Sequence, residues 1–199
     1  MRLFVLPLLA AVVFSQEPPQ LRLPPDVVPL GYQLDLQLDP GKDSFTGSIL
    51  IDVTVQKPVP VIWLHSNGLK ISSAKVAGQS VKVVPGGQEF IGLSAAAPFA
   101  AGKSRIEIAY QGELQKNDVE GLFKQTEGAD SYILTQFEPT SARRAFPCFD
   151  EPAFKTPWQV TLRVPKNMQA FANTPVDTEQ VEGDSKVVRF ASRSHCPAT

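Results

Sequence analysis

Apolar and polar residues alternate with a period of two along two early stretches of the chain, a pattern that β-strands satisfy and helices do not. In YQLDLQL, residues Tyr32 to Leu38, the side chains of Leu34, Leu36 and Leu38 fall on one side, and Asp35 and Gln37 on the other. ILIDVTV repeats the pattern, with Ile49, Ile51, Val53 and Val55 opposed to Leu50, Asp52 and Thr54. Between the two runs lies Asp39-Pro40-Gly41-Lys42-Asp43, rich in turn-forming residues. The two runs are therefore expected to pair antiparallel with one buried face.

Shorter strands are expected at Val61–Leu64, Lys70–Val76, Ser80–Val84, Glu89–Leu93, Ser104–Gln111, Tyr132–Gln136, Gln159–Val164, Gln169–Ala172 and Val187–Phe190. Turn residues separate most of them, as at Ser66-Asn67-Gly68, Ala77-Gly78, Pro85-Gly86-Gly87 and Ala101-Gly102. With 18 prolines and 13 glycines in 199 residues, long helices are disfavoured. The fold class expected is all-β, an antiparallel sandwich or curved sheet of many short strands. The one helix expected is short, over Pro139 to Ala145, because proline at a first helical position loses no hydrogen bond.

Charge narrows the possible partners. Lys and Arg number 19 against 20 for Asp and Glu, so no basic field exists to attract a phosphate backbone, and no nucleic-acid partner is expected. The N-terminus reads MRLFVLPLLAAVVFSQ: Arg2 gives a positive start, Leu3 to Phe14 is apolar, and Val13 and Ser15 suit the small positions of a signal peptidase site. The run is shorter than the roughly 20 residues that cross a membrane. Residues 1–15 are read as a signal peptide, the product as exported (periplasmic or extracellular), with no membrane attachment after cleavage. The chain's two cysteines are Cys148 and Cys196. Cys148 is read as a buried free thiol, with a bridge to Cys196 as the alternative.

Chemistry concentrates in TQFEPTSARRAFPCFDEPAFKTPW, residues Thr135 to Trp158. Glu138 ends a strand and precedes Pro139. A carboxylate there either caps the following helix, worth about 0.5–2 kcal/mol, or receives a cationic ligand group such as an amine, and the residues alone leave both open. Arg143 and Asp150 are close enough in sequence to tie the helix to the next loop, while Arg144 reads as a solvated residue. Pro147, Pro152 and Pro157 stiffen the segment. His65, between a strand and an Asn-Gly turn, reads as an ordinary surface or turn residue. The adjacent His195 and Cys196 are too few for a tetrahedral metal site.

Thr135-Gln136-Phe137-Glu138-Pro139-Thr140, Ala142-Arg143, Pro147-Cys148-Phe149-Asp150-Glu151-Pro152 and Lys155 resemble the aminopeptidase N family of zinc metallopeptidases. Pro29 to Leu36 with Phe45-Thr46-Gly47 is similar to that family's opening hairpin, and Asn173-Thr174-Pro175 to the turn after the loop. The resemblance implies a saddle-shaped N-terminal β domain over residues 22–191, leaning on a separate catalytic domain. It implies that Glu138 grips the substrate's free α-amino group and that Gln136 lines the first side-chain subsite. Zinc is implied for the full-length enzyme but not for this chain, which has no HExxH motif and no GxMEN strand. No catalytic residue and no metal ligand is therefore expected here. The expected partners are a peptide N-terminus and the missing catalytic domain. Residues 192–199 match neither strand nor linker and read as an atypical tail. The function expected is substrate anchoring for a secreted zinc aminopeptidase, inactive alone; the alternative is a stand-alone β-sandwich module that binds peptides or proteins.

Overall fold

The computed structural model describes residues 17–192; the signal peptide read over 1–15 and the tail from 193, with His195 and Cys196, lie outside them. The described residues build one eight-stranded sheet, one three-stranded sheet and one two-stranded ribbon. The large sheet centres on β1 (Val27–Gln37) and β2 (Ser44–Val55), paired antiparallel with Leu34 opposite Ile49. Leu34, Leu36, Ile49, Ile51, Val53 and Val55 are buried, so the alternation selects the face as expected. From β2 the sheet continues through β8 (Gly102–Glu113) and β4 (Lys70–Val76) to the short β5 (Gln79–Ser80). From β1 it continues through β11 (Trp158–Pro165) and β13 (Ser185–Phe190) to β12 (Val176–Glu182).

The second sheet has the order β3 (Val59–His65), β7 (Phe90–Phe99), β6 (Lys82–Pro85). Ile62, Leu64 and Leu93 from this sheet join Ile49, Ile51 and Ile106 from the large one in a single buried cluster. The ribbon pairs β9 (Gly121–Glu127) with β10 (Asp130–Gln136). The all-β class is as expected, with one departure from antiparallel order: β1 and β11 run parallel, Tyr32 opposite Trp158. These strands are joined through the whole second sheet and the ribbon, so no hairpin dictates their relative direction. Among the described residues no helix is long and apolar enough to cross a membrane.

Two close approaches fix the register of β2 against β8. Gly47 faces Tyr110 and Phe45 faces Gly112, and each aromatic ring lies across the opposing glycine. A Cβ on either glycine would come within 2.5 Å of the opposing ring. The two rings meet edge to face with centroids 6.4 Å apart, a favourable aromatic arrangement.

Other expectations need correction. β9 and β12 were not anticipated, and Gln169–Ala172 is not a strand. The helix expected over Pro139–Ala145 shrinks to a single 3-10 turn, Ala142–Arg144. The Ser141 N–H instead closes a turn back onto the Phe137 carbonyl at 2.8 Å, and Pro147 restricts Phe146 against helical extension.

Candidate functional site

The ribbon delivers the chain to the loop. Gln136, the last residue of β10, pairs with Gly121, the first of β9, and alternation puts Tyr132, Leu134 and Gln136 on the same exposed side. The chain then turns through Phe137 to Ser141, with Glu138–Pro139 in the cis form. Phe137 packs edge-on against Phe146, centroids 5.4 Å apart, which seats the turn on the core. Glu138 is exposed, and among the described residues its carboxylate has no hydrogen-bond or ion-pair partner; its backbone N–H donates to Gln136 Oε1 at 3.3 Å. Glu138 is thus not a helix cap, because the 3-10 turn begins later, after Ser141.

Beneath the turn, Arg143 is buried and ties three segments together. Its Nε donates to Asp150 Oδ2 at 2.9 Å, its Nη2 to the Asp150 carbonyl at 3.2 Å, and its Nη1 to Glu89 Oε2 at 2.9 Å. Asn67 completes the set, its N–H donating to the Arg143 carbonyl and its Nδ2 to Glu89 Oε1 at 2.6 Å. Burial works against the Arg143 charge, but its hydrogen bonds to Asp150 and Glu89 outweigh burial and hold the guanidinium above its ordinary value. The Arg143–Asp150 tie was expected; Glu89 and Asn67 were not, since they arrive from the distant second sheet and its connections.

His65 is the clearest correction among the polar residues. It is 1% exposed, at the end of β3, and exchanges backbone hydrogen bonds with Cys148 at 2.9 and 3.0 Å. Its Nδ1 accepts from the Asp150 N–H at 3.1 Å. Burial first, then the Arg143 charge, pulls the imidazole down to about 4 against the opposing pull of Glu89, so it is neutral at pH 7. The turn residues after His65 suggested a surface position, but the Phe146–Asp150 segment folds over it. Among the described residues Cys148 is a buried free thiol, pushed up by burial and by Asp150. Glu151 fastens the N-terminal lead, accepting the Leu23 N–H at 2.6 Å.

Arg144 is also no solvated residue. Its side chain, 30% exposed, pairs with Asp118 at 2.7 Å and with Glu120 at 3.5 Å. Glu120 Oε2 further accepts from Ser141 Oγ at 2.9 Å. Gly121 makes this approach possible: its φ is +72°, and a Cβ there would lie 2.8 Å from Arg144 Cβ. A hollow of about 480 Å³, lined by Asn67, Leu69, Glu113, Gln115, Asp118 and Arg144, opens on this side and touches neither Gln136 nor Glu138. Among the described residues no group of three His, Cys, Asp or Glu side chains could hold a metal. The two expected site residues are therefore neighbours where β10 gives way to an exposed turn whose supports are hydrogen-bonded or packed, and among the described residues the Glu138 carboxylate is unpartnered.

The family described as Peptidase M1 N-terminal domain matches residues 28–198. The chain is 36% identical to human endoplasmic reticulum aminopeptidase 1 over 172 residues, covering 79% of this chain and 18% of that protein. It is 33% identical to aminopeptidase N of Acetobacter pasteurianus over 195 residues, covering 94% of this chain and 54% of that one. The crystal structure of an M1 zinc metallopeptidase from Deinococcus radiodurans superposes with a TM-score of 0.72 at 25% identity, covering 86% of this chain and 40% of that chain. A mutant of that enzyme bound to a Tyr-Ser-Ala substrate superposes with a TM-score of 0.70 at 25% identity, covering 83% and 39%. This chain spans about a fifth of the length of the human relative and about half that of the bacterial one.

Proposed function

The chain belongs to the Peptidase M1 N-terminal domain family, and from that premise we propose that it anchors the free α-amino group of a peptide for an aminopeptidase. Glu138 is the anchor and Gln136 flanks the first side chain. The observation that carries the reading is the free Glu138 carboxylate, exposed on a turn held by Phe137, Ser141 and the buried Arg143 beneath it. An anion at a fixed point admits a chain by its ammonium end, so that only the first peptide bond is presented for cleavage. A charge-assisted hydrogen bond of this kind contributes about 1.5–3 kcal/mol.

Zinc supplies the hydrolytic chemistry in the M1 zinc metallopeptidases, polarising the scissile carbonyl and activating water. The described residues do not fit a metal, so no hydrolytic step is assigned to them. Their part is to bind and orient. Export through the apolar N-terminal run belongs to the same reading; secreted material should begin near Gln16 by intact-mass measurement, and a product that keeps Met1 would count against it.

The direct test is a titration of the ¹³C-glutamate-labelled chain with Tyr-Ser-Ala and with its N-acetylated twin. The free amine is expected to shift the Glu138 carboxyl resonance and the acetylated peptide to leave it in place. Equal responses would sink the assignment. In a polypeptide that joins this domain to a zinc-bearing catalytic domain, Glu138→Ala is expected to lower kcat/KM by about 10- to 150-fold with zinc content unchanged.

A further inference from the structure

We infer that Glu120 is a positioning residue for the amine anchor, acting on Glu138 through Ser141. The inference rests on the reading of Glu138 as that anchor. The turn that carries Glu138 opens at Phe137 and closes at Ser141, whose N–H returns to the Phe137 carbonyl at 2.8 Å. Phe137 is held by its ring against Phe146. The other end is held by the Ser141 side chain, which is 3% exposed and donates to Glu120 Oε2 at 2.9 Å. Both ends of the turn are thereby fixed, and Glu138 rides on the segment between them.

Glu120 is well placed for this because its own position is set independently. Its N–H donates to Asp118 Oδ1 at 3.2 Å, and its carboxylate also lies 3.5 Å from Arg144 Nη2. It immediately precedes Gly121, which is paired with Gln136, the residue before the turn. The start of β9 is therefore bonded to the end of β10 on one side of Glu138 and, through Glu120, to Ser141 on the other. A buried hydroxyl that loses its acceptor would seek another partner, and the turn would shift with it.

The test uses the full chain and two readouts. In Glu120→Ala, the {¹H}-¹⁵N NOE at the Glu138 and Thr140 amides is expected to fall while that of the β1–β2 amides holds. Tyr-Ser-Ala is expected to bind about 2- to 12-fold more weakly, less than the loss of a whole charge-assisted hydrogen bond because the effect reaches Glu138 only through the turn, with N-acetyl-Tyr-Ser-Ala unchanged. Ser141→Ala should reproduce the loss, the double variant should be no worse than either single one, and Glu120→Gln, which keeps an oxygen acceptor, should restore most of it. Equal weakening toward both peptides, or a loss of NOE across the whole sheet, would mark Glu120 as merely structural and overturn the inference. If Glu138→Ala abolishes amine discrimination while Glu120→Ala keeps it, only the positioning role falls. If Glu138→Ala leaves discrimination intact, or the wild-type chain shows none, the anchor reading falls and this inference with it.

Discussion

Arg143 and Arg144 are adjacent in one 3-10 turn, yet they hold the loop by opposite means. Arg143 points inward, with its side chain 10% exposed, and bonds Glu89, from the connection that leads into β7, and the loop's own Asp150. Arg144 points toward the ribbon, where Asp118 and Glu120 meet it at a partly open surface. The difference separates two tasks. A buried cation bonded to both Asp150 and Glu89 mounts the loop on the fold, because removing it strands the buried Asp150 carboxylate. A half-open ion pair contributes little to stability, since water competes for both partners, but it still sets a direction.

The largest expected effect breaks the inner side. Arg143→Ala should lower unfolding free energy by about 3–5 kcal/mol in urea titrations, because the buried Asp150 carboxylate loses the charge that compensates it. Arg143→Lys should recover little of it, lacking the fork that reaches both partners. A loss below about 1 kcal/mol would place Arg143 in the same class as Arg144.

Next comes acid. The folded His65 titrates at about 4 and the unfolded imidazole near 6.5, so above pH 6.5 neither state carries the proton. As pH falls from 6.5 toward 4 the unfolded chain binds a proton that the folded chain refuses, and stability declines by about 3 kcal/mol; below 4 this loss stops growing. Carboxylates titrate in the same range, so the decisive measurement is the difference between the wild type and His65→Gln. The variant should show a shallower acid slope between pH 6.5 and 4. Parallel slopes would remove His65 from the inner network's energetics.

Two smaller effects sharpen the outer side. Gly121→Ala forces a side chain into a left-handed conformation against Arg144, and about 1–3 kcal/mol should be lost by the same urea titration. Arg144→Ala should cost about 0–1 kcal/mol, with its main effect on the amide shifts of Glu120 and Ser141. An Arg144→Ala loss as large as that of Arg143→Ala would erase the distinction between the two arginines.

The same contrast explains what the sequence disclosed. β1 and β2 were legible because one face of each is buried and alternation records the face. β12 was not, because all of Val176–Glu182 is exposed and no apolar side exists to mark it. The parallel pairing of β1 with β11 has no local signal, since register between distant strands is settled by packing. At the loop, Arg143 and Asp150 could be paired by proximity in the chain, and Gln136 and Glu138 stood out through the family-like motif. Glu89, Asn67, Asp118 and Glu120 could not be found that way, because each reaches the loop from another part of the fold. His65 was misread for a related reason: its neighbours in sequence describe a turn, while its neighbours in space are Cys148 and Asp150.

The crossed glycine–aromatic pairs in β2 and β8 also limit how this sheet can change over generations. At Gly47 any side chain meets Tyr110, and at Gly112 any side chain meets Phe45. A lineage that gains a larger residue at either glycine must first reduce the ring opposite, and the interval between the two changes leaves a hole where the ring stood. Accepted substitutions at 45 and 112, and at 47 and 110, should therefore travel in couples, with the ring lost before the glycine is replaced.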